Sequence, residues 1–188
     1  MDWNYNMEGK IVYYESNEPE NTLVTFRLVK ERLKTLESKK IVLASTTGET
    51  AMKAVEFFKD LKVKLIVIPH QFDFKVKENR FPKELVNSLK VLGHEVHFGT
   101  MLFHTDNFYG SKNASLMANL LRCFSEGVKV CFEIVFMATD AGLLKSGEKV
   151  IAMAGTGNGT DTALVIQAAS SQNLKNLRVN EIICIPYN

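Results

Sequence analysis

The chain has 188 residues, 46% of them hydrophobic, and a formal net charge of +2 at pH 7. That length corresponds to a single domain spanning residues 1–188, with enough apolar material for a substantial core. No block of five like charges occurs, which argues against nucleic acid as a partner, and the longest apolar stretch, near 130–138, is broken by Glu133 and too short for a membrane span.

Cys123, Cys131 and Cys184 form an odd set without CxxC spacing, so they read as free thiols in a reducing, cytoplasmic environment. Residues 1–6 lack the basic and apolar regions of a secretory leader.

In chain order, residues 10–14 read as a short strand. Leu23, Phe26, Val29, Leu33 and Leu36 recur at intervals of three and four, predicting an amphipathic helix over 22–37 with Asn21 or Thr22 as its cap. A strand over 41–44 precedes a helix over 49–59, and a fully apolar strand over 65–68 ends at Pro69. Residues 70–81 are polar and irregular, a loop. Pro82 suits the first position of a helix running to about Leu92, where Gly93 stops it. A short strand at 95–98 leads to a second long loop at 99–110.

Leu116, Leu120 and Phe124 mark a helix over 111–124, and the nearly all-apolar 127–144 reads as a buried helix. Strand 149–154 follows. Residues 163–167 fit strand or helix equally by periodicity, and 179–185 is a closing apolar strand. Strands alternating with helices predict an α/β domain whose largely parallel sheet carries helices on both faces. The loops 69–81 and 99–110 exceed ordinary connection lengths and are candidate ligand-covering elements.

Two hydroxyl- and glycine-rich loops each follow a strand. The first is Ser45-Thr46-Thr47-Gly48-Glu49-Thr50; the second is Gly155-Thr156-Gly157-Asn158-Gly159-Thr160-Asp161-Thr162. Brought to one sheet edge, they would offer backbone N–H and hydroxyl donors to a phosphorylated small molecule. Each also has a plainer explanation. Thr46-x-x-Glu49 is a capping box, and the second loop is compatible with a wide hairpin turn. It is neither the nicotinamide fingerprint nor a nucleoside-triphosphate loop.

Lys129, Glu133 and Asp140 lie close to one stripe of the buried helix, with Arg122 a turn upstream; they are either a functional cluster or a Lys129–Glu133 ion pair at a solvent or dimer edge. His94-x-x-His97 and His104-x-Asp106 suggest no complete metal site. Cys123 and Cys131, among Leu, Phe and Val, are expected in the core.

The two loops and their flanks resemble the C-terminal domain of pyruvate kinase, and more closely a set of stand-alone, largely archaeal proteins built on that domain. The resemblance rests on Tyr13-Tyr14-Glu15 with Asn21-Thr22, on Ala44-Ser45-Thr46-Thr47-Gly48-Glu49-Thr50-Ala51, and on Leu121-Arg122. It continues through Gly127-Val128-Lys129-Val130, Glu133, Met137-Ala138, Asp140-Ala141-Gly142, Gly155-Thr156-Gly157 and Asp161-Thr162-Ala163. It covers nearly everything beyond residue 9, while 106–114 looks individual and 70–77 does not align.

The resemblance implies a three-layer α/β/α fold, mostly parallel with an antiparallel edge strand, and residues 163–167 as a strand. The catalytic barrel of pyruvate kinase has no counterpart here, so kinase activity is not implied. It further implies bound flavin mononucleotide (FMN), with the phosphate seated by Ser45, Thr46, Thr47, Gly48 and Thr50. Gly155, Thr156, Gly157, Gly159, Asp161 and Thr162 would lie along the ribityl chain or ring; Lys129 near the pyrimidine end would stabilise a reduced, anionic flavin, and Glu133 is counted with it among the flavin-binding residues. Two functions follow as expectations: a flavin-dependent enzyme, or a non-redox sensor of a phosphorylated metabolite. The expected protein partner is a second copy of the chain, in a homo-oligomer.

Overall fold

The computed structural model describes residues 8–16, 18–157 and 159–187. Residues 1–6, read above for a leader, and Asn158 of the second glycine loop lie outside that range. The elements are β1 (Val12–Tyr14), α1 (Asn21–Leu33), β2 (Lys40–Ala44), α2 (Glu49–Phe58), β3 (Lys64–Ile68), α3 (Lys83–Val91) and β4 (Glu95–Val96). They continue with α4 (Asp106–Tyr109), α5 (Asn113–Arg122), α6 (Glu126–Asp140), β5 (Lys149–Ala154), β6 (Thr162–Gln167) and β7 (Arg178–Pro186).

The strands form one sheet in the order β1-β7-β6-β5-β2-β3-β4. β6 is antiparallel to β5 and β7, and the other pairings are parallel. The sheet is therefore mostly parallel, and its reversed strand lies third from the β1 edge, flanked on both sides. Residues 163–167 are strand, with Ala154 opposite Thr162 across a hairpin.

The central strands are apolar between their end residues because helices cover both faces. Along β2, Val42 points into a core shared with α6, whereas Ile41 and Leu43 point into a second core shared with α1 and α2. In the second core, Phe26 of α1 meets the rings of Phe57 and Phe58 at 5.5 and 5.4 Å. Helix α6 buries eleven of its fifteen residues, since the sheet lies on one side and α5 on the other. Ser125 caps it, accepting a hydrogen bond from the Val128 amide at 3.0 Å.

Three details depart from expectation. Pro82 is the cap of α3, in extended geometry, one position before the first helical residue. Residues 99–110 contain a 3-10 turn, Leu102–His104, and then α4. Ser171–Asn176 is a further 3-10 segment without a periodic signature, too short to show one. Among the described residues, no helix is long and apolar enough to cross a membrane.

Candidate functional site

Leu43 of β2 pairs in register with Met153 of β5, and the two strands are parallel. The loops that follow them, 45–48 and 155–161, therefore leave the same edge of the sheet side by side. Open α/β sheets bind ligands at this carboxyl edge, where strand ends and helix starts converge.

The first loop does not form its capping box. Gly48 occupies the cap of α2 at φ 89°, in the left-handed region, and has no side chain with which to cap the helix start. A Cβ there would lie 2.1 Å from Leu85 Cδ2, so both conformation and packing require glycine. The Ser45 hydroxyl instead accepts from the Ala51 amide at 3.3 Å. Glu49 is exposed and salt-bridged to Lys53 at 2.7 Å, one turn along the helix surface. Thr47 is exposed, while Thr46 and Thr50 are half-buried.

The second loop is largely consumed by its own architecture. The buried Asp161 accepts from the Thr156 amide at 2.9 Å and from the Thr162 hydroxyl at 2.7 Å. Thr22 of α1 accepts from the Thr160 amide at 3.0 Å, and the Thr25 hydroxyl donates to the Thr160 carbonyl at 3.2 Å. A Cβ at Gly155 would meet the Gly159 carbonyl oxygen at 2.4 Å, so this glycine is demanded by backbone contact. Thr156 and Gly157 are exposed, and the buried Thr160 hydroxyl has no hydrogen-bond partner among the described residues.

A cleft of about 270 Å³ opens where β2 and β3 end against α6. Of the residues singled out in the sequence, Ser45, Thr46, Lys129, Glu133 and Arg122 line it together. Thr47, Gly48, Thr50 and the second loop are not part of its wall. Asp140, at the far end of that helix stripe, does not line the cleft; it is exposed and accepts from the Ser171 amide at 2.9 Å.

The floor of the cleft is charged and buried. Lys129 Nζ donates to Glu133 Oε2 at 2.9 Å, with Glu126 Oε1 at 3.7 Å and His104 Nε2 at 3.2 Å. Glu133 Oε1 accepts from the Phe103 amide at 2.8 Å, tying the 3-10 turn to α6. The Lys129–Glu133 pair is real, but it lies inside the molecule and not at a solvent edge. Its ammonium also sits 5.8 Å from the centre of the Phe103 ring.

Phe74 stands between two histidines, its ring 4.9 Å from those of His70 and of His104. Burial lowers the pKa of both imidazoles, with Arg80 the next cause at His70 and Lys129 the next at His104. They are therefore neutral near pH 7; Lys129 and Arg122 are paired with Glu133 and Glu126, and Lys75 is a further cation of the wall. The sequence flagged the two long loops but none of Phe74, His70 or His104 as site residues. Among the described residues, no three His, Cys, Asp or Glu side chains converge as a metal site. Cys131 is buried, whereas Cys123, expected in the core, is exposed at the C-terminal cap of α5.

Residues 25–166 match the family model described as pyruvate kinase, alpha/beta domain. The chain belongs to that family. Similar solved structures include a pyruvate kinase from Cryptosporidium parvum, at 16% identity and a TM-score of 0.43 over 80% of this chain and 23% of that one. The Cryptosporidium parvum enzyme in complex with ADP is alike at 16% identity and a TM-score of 0.42, over 80% and 24% of the two chains. This pyruvate kinase alpha/beta domain thus spans about a quarter of the length of those enzymes.

Proposed function

We propose that this pyruvate kinase alpha/beta domain binds a phosphorylated small molecule in the cleft beside α6. The observation that carries the reading is that Ser45 and Thr46, at the start of α2, share one cleft with the buried Lys129 ammonium. Hydroxyls beside a helix start suit a phosphate, because the first-turn amides lack intrahelical partners. Lys129 is balanced there by Glu133, and Lys75 adds a cation to the same wall.

The ligand we infer is FMN, and the residues fit it. Phe74, His70 and His104 offer aromatic surface for a flat ring, and Val130, Ile134 and Met137 supply apolar wall. Ser45 and Thr46 would hold the phosphate, and Lys129 would favour an anionic ring edge. When bound, a flavin supplies hydride or single-electron transfer, which would make the protein a flavin-dependent enzyme. We place it in the cytoplasm, where thiols such as exposed Cys123 stay reduced.

One observation favours a second reading. The cleft volume of about 270 Å³ lies below the roughly 300–1,000 Å³ usual for larger ligands. A sugar phosphate would fill it without movement of the 69–81 loop, and the domain would then be a non-redox sensor. The absorbance of the purified protein and a mass spectrum of any copurifying small molecule separate the two. Flavin bands and an FMN mass are expected. A colourless protein, stabilised against heat by sugar phosphates and unaffected by FMN, overturns the flavin reading in favour of the sensor.

A further inference from the structure

The largest concentration of exposed apolar side chains among the described residues lies away from the cleft, on α4 and α5. Phe108 is 83% exposed, Tyr109 72%, Leu116 69%, Leu120 67% and Met117 37%, with Leu174 at 44% across a shallow groove. At 100° per residue, Leu116, Met117 and Leu120 fall within one sector of α5 about 100° wide. Ala118, on the opposite side, is buried. The rings of Phe108 and Tyr109 stack edge to face at 4.9 Å, extending the stripe onto α4.

Residues of this size carry roughly 200 Å² of surface each, so the exposed fractions amount to about 700 Å² of surface, most of it apolar. Monomers rarely leave a patch that large in water, and a partner in a stable complex contributes about 800 Å². The area therefore matches one side of a standard interface. Two copies meeting through the same patch require an arrangement that is self-complementary.

We infer that two copies of this chain associate through α4 and α5, with the α5 helices antiparallel across a two-fold axis at the level of Ala118. In that register residue i of one copy faces residue 236 − i of the other, about one pairing per residue along the helix. Leu116 then lies over the partner's Leu120, and Leu120 over the partner's Leu116. The apolar groove walled by Phe103, Tyr109 and Met117 receives side chains of the opposing α4–α5 segment. No acidic residue lies in α5 between Asn113 and Arg122 to oppose the contact. The Arg122 cation at its end is neutralised by Glu126.

The test is light scattering of the full chain over a wide concentration range. A mass of twice 21.2 kDa is expected for the native sequence, falling to 21.2 kDa when Leu116→Asp and Leu120→Asp are combined. Both side chains are exposed, so far-UV circular dichroism should be unchanged. In a Cys123→Ser background, Leu116→Cys with Leu120→Cys should oxidise to a covalent dimer. A native monomer at every concentration, or a dimer indifferent to the aspartates, overturns the inference. So does a dimer that the cysteines fail to link, or a monomer that binds lipid vesicles through this face.

Discussion

Lys129 and Glu133 stand one turn apart on α6, joined at 2.9 Å, with side-chain exposures of only 2% and 3%. Removing one member of a buried pair leaves the other charged and unsolvated, which costs about 3–5 kcal/mol. Lys129→Met should therefore lower unfolding stability by about that amount in urea titrations. Lys129→Met with Glu133→Leu should recover most of the loss, though not all, because the Phe103 amide would then lack its acceptor. A loss below about 1 kcal/mol for Lys129→Met would show that the pair is not desolvated as described.

Gly155 faces the Gly159 carbonyl across the β5–β6 loop so closely that a Cβ would sit 2.4 Å from the oxygen. Gly155→Ala should destabilise the protein by about 2 kcal/mol or more, because backbone must move to relieve the clash. An alanine variant with an unchanged melting temperature would mean that this loop is not fixed as it stands.

The loop is also pinned from α1. Thr22→Val leaves the buried Thr160 amide without its acceptor, a loss of about 1–3 kcal/mol. Hydrogen exchange at the Thr160 amide should quicken in that variant. Unchanged protection would assign the amide another partner.

His70, His94, His97 and His104 all have pKa values lowered from the ordinary 6.5, each chiefly by burial. The folded protein thus favours neutral imidazoles, and the unfolded chain binds more protons as pH falls through 6.5. Stability should be fully present above pH 6.5 and decline below it, ahead of the range in which carboxylates titrate. Melting temperatures between pH 7.5 and 5.5 test this. A curve that is flat or rises on acidification contradicts the partial desolvation of these rings.

The fold was legible in the sequence wherever pattern was local. Phe26, Val29 and Leu33 of the predicted stripe form the buried face of α1, while Leu23 is exposed, and the apolar runs at 41–44 and 65–68 are β2 and β3. Residues 163–167 were not decidable by periodicity, because a strand buried on both faces loses its alternation; the family resemblance supplied the answer.

The cleft was only half legible. Ser45, Thr46, Lys129 and Glu133 could be named because they break an apolar context. His104 and Phe74 could not, since nothing local records that two long loops fold back over α6. At Gly155 and Gly159 of the second loop, packing by itself already requires the missing side chain, which their spacing does not reveal.

The central claim is that the cleft holds a phosphate-bearing ligand at Ser45 and Thr46. Paired titrations with FMN and riboflavin, followed by flavin fluorescence on the native protein and on Thr46→Val, test it most directly. The account predicts that FMN binds much more tightly than riboflavin, and that the substitution weakens FMN at least tenfold while leaving riboflavin nearly unchanged, a difference of about 1.4 kcal/mol or more. Equal affinities for the two flavins, or equal losses in the variant, would contradict it.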